Sequence, residues 1–178
     1  MNFRAFIFCV KKDLLRFSKG KKIKYFFLLH PRFLPVFLIR LSCFFHSIIL
    51  FRLLSYVISW INFYLYGIEC TPKINIGYGL LIPHPNGIVL GAKKIGSNVT
   101  IFQGVTIGAK YFDHGFTIQQ RPVIGDNVLI GAGAKILGEI SIEDNVVIGA
   151  NSVVLKSFSR NQLIAGIPAK AIKKKNSL

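Results

Sequence analysis

The stretch Val123–Val154, VIGDNVLIGAGAKILGEISIEDNVVIGANSVV, decides the architecture. An aliphatic residue recurs there every six positions, at Ile124, Ile130, Ile136, Ile142, Ile148 and Val154. Neither a helix, with its period near 3.6, nor a plainly alternating strand has that spacing. A parallel β-helix does: three short strands make one triangular coil, and each six-residue side sends one anchor inward. Working toward the N-terminus, the same grid appears as Ile95, Ile101, Ile107 and, after a one-residue slip, as Ile76, Ile82, Ile88. Glycine follows the anchor at 77, 96, 108, 125, 131 and 149. A second small or apolar residue stands four places after it, at Val99, Val105, Val128, Ala134, Ile140, Val146 and Ser152. The segments Gly96-Ser97-Asn98, Gly125-Asp126-Asn127 and Glu143-Asp144-Asn145 read as corners, where glycine and asparagine supply positive φ.

Two interruptions stand out. Seventeen residues separate Ile107 from Ile124, where whole hexads predict twelve or eighteen, and residues 109–121 (AKYFDHGFTIQQR) have lost the repeat. A loop expelled from a rigid solenoid is a natural carrier of function. The second break is the tail, residues 164–178, which opens on IAGIPAK and runs into Lys173–Lys175.

Residues 1–66 differ in composition from 67–178. They hold one glycine, many Phe, Leu and Ile, and eleven Lys/Arg against the single acid Asp13, a net +10; the remainder contributes +6 of the total +16. The pattern predicts a helix over 3–17, a basic turn at Lys19–Lys22, and one long apolar helix from about 36 to 66. Its longest uncharged run is the sixteen residues 53–68, short of the roughly 20 needed to span a bilayer. Burial between subunits, interfacial membrane binding and true spanning are the three readings of that segment. Cations mixed with bulky apolar residues suit an anionic membrane surface better than nucleic acid, for which no motif is present. Cys9, Cys43 and Cys70 have no metal-ligand spacing, and the apolar run 5–10 is too short for a secretory signal, which points to the cytoplasm.

From Glu69 to about Lys173 the chain resembles the serine acetyltransferase branch of the hexapeptide acyltransferases. It is more similar still to the sugar and polysaccharide O-acetyltransferases related to that branch. The matching segments are IGYGLLIPHPNGIVLGAKKIGSNVTIFQGVTIGA, RPVIGDNVLIGAGAKILGEI, VVIGANSVVLKS and AGIPAKAI. The resemblance implies a left-handed coil, so the expected fold is an all-β left-handed parallel β-helix (67–178) preceded by an α-helical segment (1–66). It also implies a homotrimer with sites between adjacent coils, acetyl-CoA laid along the groove, and direct acetyl transfer.

An acceptor hydroxyl attacks a thioester poorly until a base removes its proton, and a neutral imidazole suits that task. His84, in Pro83-His84-Pro85-Asn86-Gly87, falls at the family's catalytic histidine, and its flanking prolines make a rigid mount. Glu69, fifteen residues earlier, falls at the family's orienting aspartate and would hold the second ring nitrogen. Positions matching the acetyl-CoA contacts are Gly108, Ala109, Ala132 and Ala150, with Lys170 and the lysine tail placed for the phosphates; small residues at tight corners explain the first four equally well. Acceptor-site candidates are Tyr111, His114, Arg121 and Asn86, with Phe112 and Phe116 as further platform residues. Serine acetyltransferases carry an acid before the catalytic histidine and an Arg-His pair at the loop's end; Pro83, Gln120 and Arg121 stand at those positions. These departures favour a glycan acceptor, a capsule or O-antigen sugar, over serine, with a non-catalytic scaffold as the reading of another class. A zinc site needs three histidine ligands. Only His84 and His114 follow residue 46, so no metal is expected.

Overall fold

A computed structural model of the chain describes residues 1–20, 25–111 and 117–172. Helix α1 spans Phe3–Phe17, α2 Leu34–His46 and α3 Arg52–Tyr66, with 3-10 turns at Tyr25–Leu29 and Ile49–Phe51. The Asn2 side chain caps α1 by accepting from the Ala5 N–H at 2.8 Å.

The single helix expected over 36–66 is instead a hairpin. No proline or glycine marks the break. The Ser47 hydroxyl lies 2.6 Å from the Phe44 carbonyl and 2.8 Å from that of Met1, and Ile48 is extended (φ −107°, ψ 114°). A serine that offers its own hydroxyl to the preceding turn competes with helix continuation. Folding back pairs the two helices: the Ser42 hydroxyl donates to the Ser55 carbonyl (2.8 Å) and the Asn62 amide to that of Pro35 (3.2 Å).

The rest winds through three sheets. The first stacks Ile68–Cys70, Ile88–Leu90, Thr106–Gly108, Lys135–Leu137 and Val153–Val154, all parallel. The second stacks Asn75–Ile76, Lys94–Ile95, Val123–Ile124 and Ser141–Ile142. The third stacks Thr100–Ile101, Leu129–Ile130, Val147–Ile148 and Leu163–Gly166, closed by the antiparallel strand Ala169–Ile172. The hexad anchors fill the interior: Ile95, Ile101, Ile107, Ile124, Ile130, Ile136, Ile142, Ile148 and Val154 are fully buried.

Positive φ is concentrated in two corner columns. One runs through Gly79, Asn98, Asn127, Asn145 and Asn161, the other through Gly67, Gly87, Gly104, Gly133 and Asn151. The corner asparagines are therefore as expected, but the glycines after the anchors, Gly96 and Gly125 among them, do not have positive φ. Their need is space. A Cβ on Gly131 would lie 2.6 Å from the Ala150 nitrogen of the next coil.

Helices α1 and α2 seal the open end of the first coil. Leu14, Phe33, Val36 and Ile39 join the same hydrophobic core as Ile74, Ile76 and Leu80. Arg40 donates to Asp13 (2.8 and 3.1 Å) and to the carbonyls of Ile76 (2.8 Å) and Gly77 (2.5 Å). Asp13 in turn accepts from the Leu80 N–H at 2.8 Å. Arg16 donates to the carbonyls of Gly79 (2.5 Å) and Val99 (2.9 Å) and to the Thr100 hydroxyl (2.7 Å). Burial pushes the Asp13 carboxyl up, while Arg40 and the backbone N–H donors hold it back.

Candidate active site

Register relocates the first slip in the repeat. Leu90, not Ile88, stands in line with Ile107, so eight residues separate the anchors Ile82 and Leu90 where a hexad has six. The surplus falls at Pro83–Gly87, and the coil bulges at the corner that carries His84. The expelled segment, residues 109–121, leaves the coil where the first sheet ends, and the coil resumes at Pro122, whose carbonyl accepts from the Lys93 N–H at 2.8 Å.

The first sheet thus has a bulge on the edge where the chain enters it and an expelled loop on the edge where the chain leaves. Entry-edge residues form a ladder: Gly104 N–H to the Asn86 carbonyl (3.0 Å), Gly133 N–H to Gln103 (2.8 Å), Asn151 N–H to Ala132 (2.8 Å). His84, Asn86, Ala132 and Ala150 therefore lie along one line of corners. His84 is exposed at its head, its ring 6.3 Å from that of Phe102 and inclined at 33°.

Gly108, Ala109, Tyr111 and Arg121 belong to the exit edge. Gly108 has open space where a Cβ would stand and does not have positive φ, so neither packing nor backbone strain requires a glycine there. Tyr111 is exposed, with the Lys110 ammonium 5.4 Å over its ring, and lines a cavity of about 270 Å³ with Lys110, Gln120, Gly138 and Glu139. The Arg121 guanidinium turns back on the coil, 3.4 Å from the Gly91 carbonyl. His114, Phe112, Phe116 and Lys173–Lys175 lie outside the described residues. Lys170 is exposed on the antiparallel strand at the far end of the third sheet, opposite Ala165.

Between the edges, the outward row of the first sheet reads Glu69, Val89, Thr106, Lys135, Val153 by register. No hydrogen bond joins Glu69 to His84 among the described residues. The carboxylate instead faces a cavity of about 490 Å³ lined by Tyr56, Ser59, Trp60, Phe63, Tyr64, Cys70, Thr71 and Pro72. Sequence reasoning passed over Lys135, whose ammonium donates to the Gly104 carbonyl (2.6 Å) and the Thr106 hydroxyl (3.1 Å). That places a half-buried cation one coil beyond the corner next to the histidine turn. The available signal was a lysine at an outward hexad position, directly before the anchor Ile136. It went unread because outward lysines are ordinarily solvated.

A family model described as "Bacterial transferase hexapeptide (six repeats)" matches residues 121–156. A serine acetyltransferase of Staphylococcus xylosus is 47% identical over 121 residues, covering 67% of this chain and 55% of its own length. The chain thus spans about half the length of the curated relatives it matches. Among solved structures, the soybean serine acetyltransferase apoenzyme superposes with a TM-score of 0.84 at 30% identity, covering 95% of this chain and 69% of that one. A serine acetyltransferase in complex with CoA gives 0.81 at 27% identity, covering 96% and 71%. These relatives overturn the expected capsule or O-antigen acceptor, since the proteins this chain resembles over the whole coil act, by name, on serine. The expectation leaned on three changed side chains around the acceptor. One of them, Arg121, is engaged with its own coil and so says little about which acceptor the site takes.

Proposed function

Because the chain belongs to the hexapeptide-repeat acyltransferases, we propose that it transfers the acetyl group of acetyl-CoA to the side-chain hydroxyl of serine, with His84 as general base. The observation that carries this reading is the position of His84. It stands exposed in a bulged corner at the head of a track of corners along the coil edge, where Ala132 and Ala150 carry small side chains.

The thioester arm of acetyl-CoA lies along that track past Ala132 and Ala150. The imidazole takes the proton of the serine hydroxyl as its oxygen attacks the acetyl carbonyl. The tetrahedral intermediate collapses, the C–S bond breaks, and the imidazolium returns the proton to the departing CoA thiolate. Glu69 acts as a positioning residue that steadies the imidazolium once acceptor and cofactor have closed the site. Glu139, beside Tyr111 and Gln120 on the exit edge, supplies the carboxylate that a zwitterionic acceptor requires in place of the acid that Pro83 replaces.

Since the two half-sites lie on opposite edges of one sheet, a complete site needs the entry edge of one copy against the exit edge of another. This arrangement supports a homotrimer. Head-to-tail contacts of that kind close into a ring.

The test is thiol release from acetyl-CoA with a panel of acceptors. L-Serine is expected to support turnover and free hexoses are not. Serine methyl ester, which keeps the ammonium and loses the carboxylate, is expected to retain part of the rate. Turnover with hexoses but not with L-serine defeats the proposal.

A further inference from the structure

Helix α3 is built inside out. The stripe it buries against α2 is Ser55, Ile58 and Asn62, two polar residues of three. On the opposite side Leu53 is 76% exposed and Tyr64 83%, at positions that share one helical face with Val57 and Trp60, and Leu50, 84% exposed, precedes them in the 3-10 turn. A surface helix normally turns its apolar stripe inward, so this face has a partner.

The turn between α2 and α3 extends that face into a tip. The Met1 carbonyl, 2.8 Å from the Ser47 hydroxyl, fixes the start of α1 there. Ring pairs Phe3–Phe44 (6.1 Å) and Phe45–Phe51 (5.4 Å) continue the contact, leaving Phe3 and Ile49 64% and 78% exposed beside Leu50. Cations border the tip. Arg52 opens α3, and Lys73 lines a cavity of about 400 Å³ with Met1, His46 and Ser47. Burial first, then the charges of Arg52 and Lys73, hold the His46 imidazole below its ordinary value.

A second copy of the same face is the poorer occupant. Residues 1–66 carry eleven Lys/Arg and one acid, Asp13, and that acid is buried 2.8 Å from Arg40. Two such tips would set Arg52 and Lys73 against their own copies, while the exposed Glu69 carboxylate lies beside Trp60 and Tyr64, away from the tip. An anionic lipid surface satisfies both halves of the pattern, acyl chains for the leucines and headgroup phosphates for the cations. We propose that the α2–α3 tip and the outer face of α3 dock this protein onto an anionic bilayer. The proposal does not rest on the serine reading.

Trp60, the single tryptophan of the chain, reports on the face directly. The whole protein is floated with vesicles of phosphatidylcholine alone and of phosphatidylcholine mixed with phosphatidylglycerol, while Trp60 emission is recorded. Flotation with the mixed vesicles only, weakened by salt and accompanied by a blue shift, is expected. Leu50→Ser and Leu53→Ser each lower partitioning by about tenfold, from the loss of one buried leucine. Arg52→Glu lowers it by about fivefold or more. All three variants keep their far-ultraviolet circular dichroism and their thiol release in solution, which separates lost docking from lost folding. Protein that stays at the bottom with mixed vesicles, or floats equally with phosphatidylcholine alone, overturns the proposal. So does an assembly in solution that dissociates on Leu53→Glu, because the face would then belong to a second copy.

Discussion

Arg40 and Arg16 together supply donors to the carbonyls of Ile76, Gly77 and Gly79 at the end of the coil beneath the helices, and Arg16 also reaches the Val99 carbonyl, which already accepts from the Leu81 N–H. Asp13 is the counter-charge that makes the fully buried Arg40 tolerable, and it also takes up the Leu80 N–H. Removing it as Asp13→Ala leaves a buried guanidinium without a counter-charge, held only by the carbonyls of Ile76 and Gly77. The expected loss is about 3–5 kcal/mol of stability, read as a fall in the urea midpoint at unchanged slope. A loss below about 1 kcal/mol would mean that water reaches Arg40 and that the seal is not tight. Nothing in the sequence singled out this pair. Asp13 was visible only as the lone acid among eleven cations, and Arg40 as an interruption of an apolar helix, because the backbone groups they meet, the Leu80 N–H for Asp13 and the Ile76 and Gly77 carbonyls for Arg40, lie 67, 36 and 37 positions away.

At the scale of elements, periodicity was legible wherever the backbone repeats and silent wherever one bond decides. The hexad identified the inward anchors from Ile95 to Val154, and α1 covers the residues expected of it, Phe3–Phe17. The break between α2 and α3 was hidden, since Ser47 ends the helix through its hydroxyl, which lies against the carbonyls of Phe44 and of the distant Met1. The bulge at Pro83–Gly87 was hidden too: Ile88 and Leu90 are both buried, and only strand register tells which of them continues the column. Two glycines of the repeat give a paired test. Gly131→Ala drives a Cβ to 2.6 Å from a backbone nitrogen and is expected to cost about 1–3 kcal/mol, whereas Gly108→Ala enters open space and leaves thermal stability unchanged. If the thioester arm also crosses the exit edge, Gly108→Ala raises KM for acetyl-CoA; both variants are checked by thermal melts and by thiol release. Equal destabilisation by the two would contradict the register of the coils.

For the whole molecule, the coil acts as a rigid rack. It holds a bulged histidine corner on one edge of a sheet, an expelled loop on the other edge, and a row containing Glu69, Thr106 and Lys135 between them. The expelled loop was readable as a departure from the hexad, and the histidine corner through its likeness to the family's, so the candidate site was found before its geometry was. The acceptor was not readable, because three substituted positions report what is missing from a site and not what replaces it; Glu139 takes its place beside Tyr111 only once the strands are stacked. The docking face was half legible, in the charge of residues 1–66, and the inverted helix became visible only when α3 was seen to bury its serine and asparagine. The central claim is that the exposed ring at the histidine corner removes the acceptor's proton. The most direct measurement is steady-state thiol release with L-serine and acetyl-CoA for the wild-type protein and for His84→Ala, alongside their melting curves. The account predicts a kcat lower by about 10²–10⁴-fold at an unchanged melting temperature. A His84→Ala protein that turns over at the wild-type rate would contradict it.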